Sequence, residues 1–216
     1  MNLLAVCTEK EMVMRRVFRR LSFGWVLGLS LVLSCTGSAP AQTNYYVSQS
    51  AGNDDSNGTT VATPWKTLAK ASAVTWRPGD KLLLKCGDTW NEGLRLRGDG
   101  TASNLVTVAS YGTGERPLIS RTKGNRNACI LIDKASGYRI RDLELSFAQN
   151  GIRIEADSRV RAEQGDYLIE NCFFHDTAGN PDFRGGNHEQ YVHMGWAIYT
   201  DGFASRTPRV WCAKRI

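Results

Sequence analysis

Tyr138-Arg139-Ile140-Arg141-Asp142-Leu143-Glu144-Leu145 sets apolar against charged residues along its length. Alternation with a period near two places one set of side chains inward and the other toward solvent, so the stretch reads as β structure. Short runs of the same kind surround it. Lys81 to Lys85, Leu94 to Arg97, Val106 to Ser110, Leu118 to Ser120 and Cys129 to Ile132 precede it, in a sequence punctuated by Gly, Asn and Asp. Gly151 to Glu155, Tyr167 to Ile169, Cys172 to His175 and Ala197 to Thr200 follow. Leu82, Val106, Ile130 and Ile152 are spaced by 24, 24 and 22 residues, and Leu96, Leu118 and Ile140 by 22 and 22. A period of roughly 20–25 residues points to a solenoid whose coils stack on one another. Leucine-rich repeats share that period, but their Asn and Leu pattern is absent. A β-sandwich explains the turns but not the long repeat. A parallel β-helix of about three short strands per coil explains both.

Outward from this core, Pro64 to Val74 carries the best helical periodicity, with Trp65, Leu68, Ala71 and Val74 on one face, Pro64 in the first turn and Thr63 as the expected N-cap. Tyr45-Tyr46-Val47-Ser48, Gly52-Asn53-Asp54-Asp55-Ser56-Asn57-Gly58-Thr59, Pro64-Trp65-Lys66-Thr67-Leu68 and Pro78-Gly79-Asp80 precede the coils. Gly87-Asp88-Thr89-Trp90, Tyr111 to Pro117, and Tyr138 to Cys172 continue the series. Together these stretches resemble right-handed parallel β-helix proteins of the pectate-lyase-like superfamily over most of residues 44–202. The resemblance implies an all-β, right-handed parallel β-helix with a short N-terminal capping helix. It also places Asn171 where the family stacks asparagines at a turn, their amides satisfying one another. The expected organisation is a signal peptide over 1–41, a first strand and cap over 42–80, coils over 81–202 and an irregular tail over 203–216.

The N-terminus reads as an address. Arg15, Arg16, Arg19 and Arg20 precede an apolar run from Leu21 to Leu33, followed by Ala39-Pro40-Ala41. That order is a secretory signal with cleavage expected after Ala41, and the run is too short for a membrane span. Met14 is a better start than Met1. Val32-Leu33-Ser34-Cys35 is an imperfect lipobox, so lipid attachment at Cys35 is a variant of the same export, and Arg15-Arg16-Val17-Phe18 partly matches a twin-arginine signal. The protein is therefore expected outside the cytoplasm, as a monomer that is secreted, periplasmic or on the cell surface.

The net charge of +6 shrinks on inspection. Residues 1–41 hold five basic and two acidic residues, and 203–216 hold four basic and no acidic ones. The remaining body carries 18 basic against 19 acidic residues, with no basic stripe for nucleic acid. Processing would leave Cys86, Cys129, Cys172 and Cys212. Their even number permits disulfides after export, though small buried strand residues are the simpler reading, and no zinc spacing is present.

Chemistry is expected where the coil length breaks. Ile152 and Ile198 are 46 residues apart, with the surplus in 156–166 and 175–195. Such insertions become loops on the solenoid wall. The second holds every histidine of the chain, His175, His188 and His193, beside Asp176, Asp182, Arg184 and Glu189. Glycoside hydrolysis needs two carboxyl groups, so His175, Asp176, Asp182, Glu189 and Asp201 are the candidate catalytic residues. Arg184, His188, Tyr191, His193, Trp196 and Tyr199 are the candidate substrate contacts, the aromatic ones by stacking on sugar faces. Tyr199-Thr200-Asp201-Gly202 resembles the Asn-Thr-Asp-Gly stretch of polygalacturonases, with Tyr in place of Asn and without the paired aspartates expected downstream. A lyase would instead need cations at a uronate, for which Arg139, Arg141, Arg153 and Arg184 are available, although outward arginines are more often simply solvated.

Two metal readings are weaker. His188 and His193 lie five apart, and a helical zinc pair needs four. Asn53 to Gly58 begins like a calcium loop, but Pro64 stands where the closing Glu belongs, so an Asn/Asp/Gly turn is the simpler account. Calcium is thus the one cofactor worth carrying forward. Asn57-Gly58-Thr59 is formally a glycosylation sequon. Residues 203–216 show no strand period, so a C-terminally incomplete coil, from truncation or a shifted frame, is expected there. These features imply an exported polysaccharide-active protein, lyase or hydrolase. The competing class is a non-catalytic carbohydrate-binding or structural surface solenoid, or an inactive fragment of one.

Overall fold

In the computed structural model the described residues are 42–121, 128–157, 165–177, 196–201 and 210–213. The expected signal segment lies outside them. The chain opens with β1 (Asn44–Val47) and α1 (Leu68–Ser72). Three strands then recur per coil: β2 (Lys81–Lys85), β3 (Thr89–Trp90) and β4 (Leu94–Leu96); β5 (Val106–Tyr111), β6 (Leu118–Ser120) and β7 (Ala128–Asp133). The third coil is β8 (Tyr138–Arg141), β9 (Glu144–Ser146) and β10 (Asn150–Glu155), and the fourth is β11 (Tyr167–Glu170), β12 (Phe173–His175) and β13 (Trp196–Asp201). β14 (Val210–Ala213) begins the next.

Each strand pairs in parallel with its counterpart one coil away, giving three sheets ordered β1-β2-β5-β8-β11-β14, β3-β6-β9-β12 and β4-β7-β10-β13. This is a β-solenoid. Stacking coils about 4.8 Å apart lets every strand interior satisfy its backbone groups with its neighbours. The centre is filled by registered rows: Leu82, Val108, Ile140 and Ile169 on the first sheet; Trp90, Ile119, Leu145 and Phe174 on the second; and Leu94, Ile130, Ile152 and Ile198 on the third. Tyr138 and Tyr167 also point inward, and their hydroxyls donate to the Gly98 and Ala135 carbonyls at 2.6 and 2.8 Å. Those bonds satisfy the polar ends of otherwise apolar side chains.

Several expectations need correction. Equal spacing does not mark one row: Leu96, Leu118 and Ile140 fall on three different sheets, because corner lengths vary. Leu82 pairs with Val108 rather than with Val106. The long step from Ile152 to Ile198 is nevertheless a true register pair. Tyr138 to Leu145 is two strands, broken at Asp142, whose φ is 60°. The helix is shorter than its periodicity implied. Its N-cap is Thr67, whose Oγ1 accepts from Lys70 N, while Glu92 accepts from the Leu68 and Ala69 amides. Trp65 instead stacks on Tyr45 with ring centroids 4.9 Å apart, and Thr63 donates to Asn57. Within 203–216, Val210–Ala213 pairs with β11 as a strand, with Cys212 opposite Ile169.

The Asn53–Gly58 segment uses its oxygens internally. Asp54 accepts from Lys66 N, Thr67 N and Thr67 Oγ1, and these bonds hold its carboxyl below the usual range despite partial burial. Asn53 and Asn57 accept from Asp55 N and Thr59 N. Cys86 and Cys129 are free thiols, Cys129 being buried. Among the described residues no helix is long and apolar enough to cross a membrane.

Candidate functional site

The second sheet carries the densest polar and aromatic group. Glu144 and Ser146 of β9 register with Phe173 and His175 of β12, while Leu145 and Phe174 between them face the core. Asp142 and Asn171, with φ of 60° and 49°, occupy the corners that enter these two strands. The left-handed conformation turns the chain without glycine, since Asp and Asn tolerate it best. There the Asn171 amide donates to Asp142 at 2.7 Å and its oxygen accepts from Arg116 at 3.0 Å. In place of the asparagine stack that the family resemblance implies, this turn holds an Asp–Asn pair.

At the far end of the strands, His175 sits between two carboxylates. Its Nδ1 bonds Asp176 Oδ2 at 2.7 Å and its Nε2 bonds Glu144 Oε1 at 3.0 Å. Ionised carboxylates only accept, so both bonds are made at once by the imidazolium. The bond to Asp176 raises the His175 pKa most; burial opposes it, and Glu144 adds to it. Phe173 stacks on the His175 ring with centroids 5.0 Å apart at 30°, and Phe147 meets it edge-on at 6.2 Å. Both phenylalanines are 51% exposed.

Tyr199 lies on a different sheet. On β13 it registers with Arg153, whose guanidinium carbon stands 5.6 Å from the tyrosine ring centre and whose Nη2 meets Glu155 at 2.8 Å. Trp196 and Asp201 are the terminal residues of that strand. Asp182, Arg184, His188, Glu189, Tyr191 and His193 lie outside the described residues. The structure thus joins His175 with Asp176, and sets Tyr199 with a separate partner. Glu144, Phe147 and Phe173 are the members that sequence reading missed. Among the described residues no group of three or more His, Cys, Asp or Glu is arranged to hold a metal.

The solenoid has solved counterparts. Two crystal structures of a GH136 lacto-N-biosidase from Eubacterium ramulus, the native protein and its selenomethionine derivative, match with a TM-score of 0.61 and 22% identity. The match covers 80% of this chain and 30% of that one. The likeness is one of fold. A curated lacto-N-biosidase from Bifidobacterium longum subsp. longum is 34% identical over 84 residues, which is 36% of this chain and 5% of that protein. The chain therefore spans only a small part of the relatives it matches. No protein-family profile matches it.

The remaining arginines raised for a lyase have partners. Arg139 pairs with Glu170 at 3.2 Å and Arg141 with Asp142 at 2.6 Å, just as Arg153 pairs with Glu155. Their charge is locally balanced, which leaves less of it for a uronate. The His175 cluster is therefore the better candidate for contact with a ligand.

Proposed function

We propose that the chain is an exported, right-handed, pectate-lyase-like β-helix that handles glycans along its wall and is of glycoside hydrolase rather than lyase type. The observation that carries this reading is the surface group in which exposed Phe147, Phe173 and Asp176 surround half-buried Glu144 and His175. Aromatic faces take the C–H surface of a sugar ring, and carboxylates accept from its hydroxyls. Likeness to two lacto-N-biosidases supports carbohydrate as the ligand and hydrolysis as the reaction, and the carboxylate pairing of Arg139, Arg141 and Arg153 weighs against a lyase. The signal-like residues 1–41 support export, with lipid attachment at Cys35 as its anchored form. α1 would close the N-terminal end of the solenoid.

In a hydrolase one carboxylic acid protonates the leaving oxygen and a second carboxylate acts as nucleophile or activates water. Glu144 and Asp176 both engage His175, so the imidazole must yield one of them before that carboxylate can serve as base. The same closed arrangement favours a second reading, a binding surface without turnover. Incubating the full chain with neutral oligosaccharides and polyuronides separates these cases. New reducing ends without ultraviolet-absorbing products support hydrolysis, unsaturated uronides overturn it in favour of a lyase, and binding without products supports the second reading.

A further inference from the structure

Outward positions on this solenoid are mostly polar, yet two of the three exposed large apolar side chains among the described residues, Phe147 and Phe173, meet at one imidazole. Phe147 adopts a φ of 51°, a conformation costly for an aromatic residue. Its counterpart one coil later is Asp176, also at 51°. The corner thus offers an apolar ring in one coil and a carboxylate in the next. Phe173 stacks on the imidazole and Phe147 meets it edge-on, and the Glu144 and Asp176 carboxylates bond its two ring nitrogens.

With His175 protonated, the group carries two negative charges against one positive. A ligand that brings its own carboxylate would meet like charge, while a neutral sugar would find apolar rings and hydroxyl acceptors together. We propose that Phe147, His175 and Phe173 form a platform for an uncharged pyranose ring, and that Glu144 and Asp176 exclude acidic sugars. This deepens the glycan reading above and rests on it. The platform is a subsite: it selects and orients a ring, whichever residues carry out the chemistry.

Calorimetric titration of the full chain with lacto-N-biose as the neutral probe and digalacturonate as the acidic one tests the assignment. The wild type should bind the neutral probe and discriminate against the acidic one. A Phe147→Ala/Phe173→Ala double variant with the wild-type melting temperature should lose about tenfold in affinity for lacto-N-biose, the worth of a lost stacking contact. A Glu144→Gln/Asp176→Asn variant should bind digalacturonate several-fold better than wild type does. Saturation transfer from the phenylalanine ring protons to the bound sugar gives a readout that needs no variant. Unchanged neutral-sugar affinity in the double phenylalanine variant, or no transfer from the rings, overturns the platform and leaves the glycan reading standing. Wild-type preference for digalacturonate overturns the charge selection. Failure of the wild type to bind either probe, or binding only of apolar peptides, overturns the glycan reading and the platform with it.

Discussion

Glu144 reaches across one coil to His175: its Oε1 lies 3.0 Å from the imidazole Nε2, while Nδ1 bonds Asp176 in the corner that follows. The site is thus assembled from two coils and needs their register intact. These bonds hold His175 above its ordinary pKa. A group whose folded pKa is raised contributes stability that is fully present below its unfolded pKa, about 6.5, and is lost as pH rises through the folded value. The melting temperature should therefore fall across that interval, and His175→Gln should flatten this part of the profile. Differential scanning calorimetry from mildly acidic to mildly alkaline pH checks it. An identical slope in the variant would remove the imidazolium from the account.

Asn171 performs two tasks that one substitution can separate. Its φ of 49° favours Asn or Gly, and its amide donates to Asp142. Burial pushes the Asp142 carboxyl up, but Asn171 and Arg141 together outweigh it and hold it low. Asn171→Ala should cost about 1–3 kcal/mol from strain and a lost bond combined. Asn171→Gly should cost less, because it relieves only the strain. Urea denaturation of both variants checks the order, and equal losses would assign the whole effect to the hydrogen bond.

The legible part of this fold was the strand pattern, since burial on one face imposes alternation wherever a coil runs straight. Lys81–Lys85 and Leu118–Ser120 have the bounds their alternation implies. Corners were harder to read. Asp142 interrupts Tyr138 to Leu145 at a left-handed residue, so Glu144 begins a strand of the next sheet, and that hid Glu144 from the candidate site. Phe173 and Phe174 are adjacent, and only the pleat decides that the second packs inward. His175 and Asp176 were found because the histidines cluster in sequence; their partners sit one coil away, where local patterning carries no signal. Trp65 misled the helix reading because its ring serves Tyr45 and its indole N–H donates to Ser56 O.

Two glycines with similar backbone angles should respond very differently to alanine. Gly137, at φ 74°, lies against the backbone of Gly100 one coil earlier, and a Cβ there would collide with it. Gly112, at φ 82°, has open space around the same position. Gly112→Ala should cost about 1 kcal/mol, from conformational strain alone. Gly137→Ala should cost about 3 kcal/mol or more, because immovable backbone must also shift. Chemical denaturation of the pair measures the difference. Equal costs would mean that the coils part easily at this corner.

Cys129 offers a probe of whether the coils open. Its thiol is buried on β7, donates to the Ile119 and Ser146 carbonyls at 3.2 and 3.4 Å, and burial pushes its pKa up to about 12. At pH 8 only about one molecule in ten thousand would then carry the reactive thiolate, even with access. Cys86 is a half-buried free thiol. Under native conditions iodoacetamide should modify Cys86 while sparing Cys129, and Cys129 should become reactive together with global unfolding in urea. Peptide mass spectrometry follows each site separately. Labelling of Cys129 ahead of the global transition would show that the Ile119–Ser146 seam, where the second and third sheets meet, opens before the rest of the solenoid.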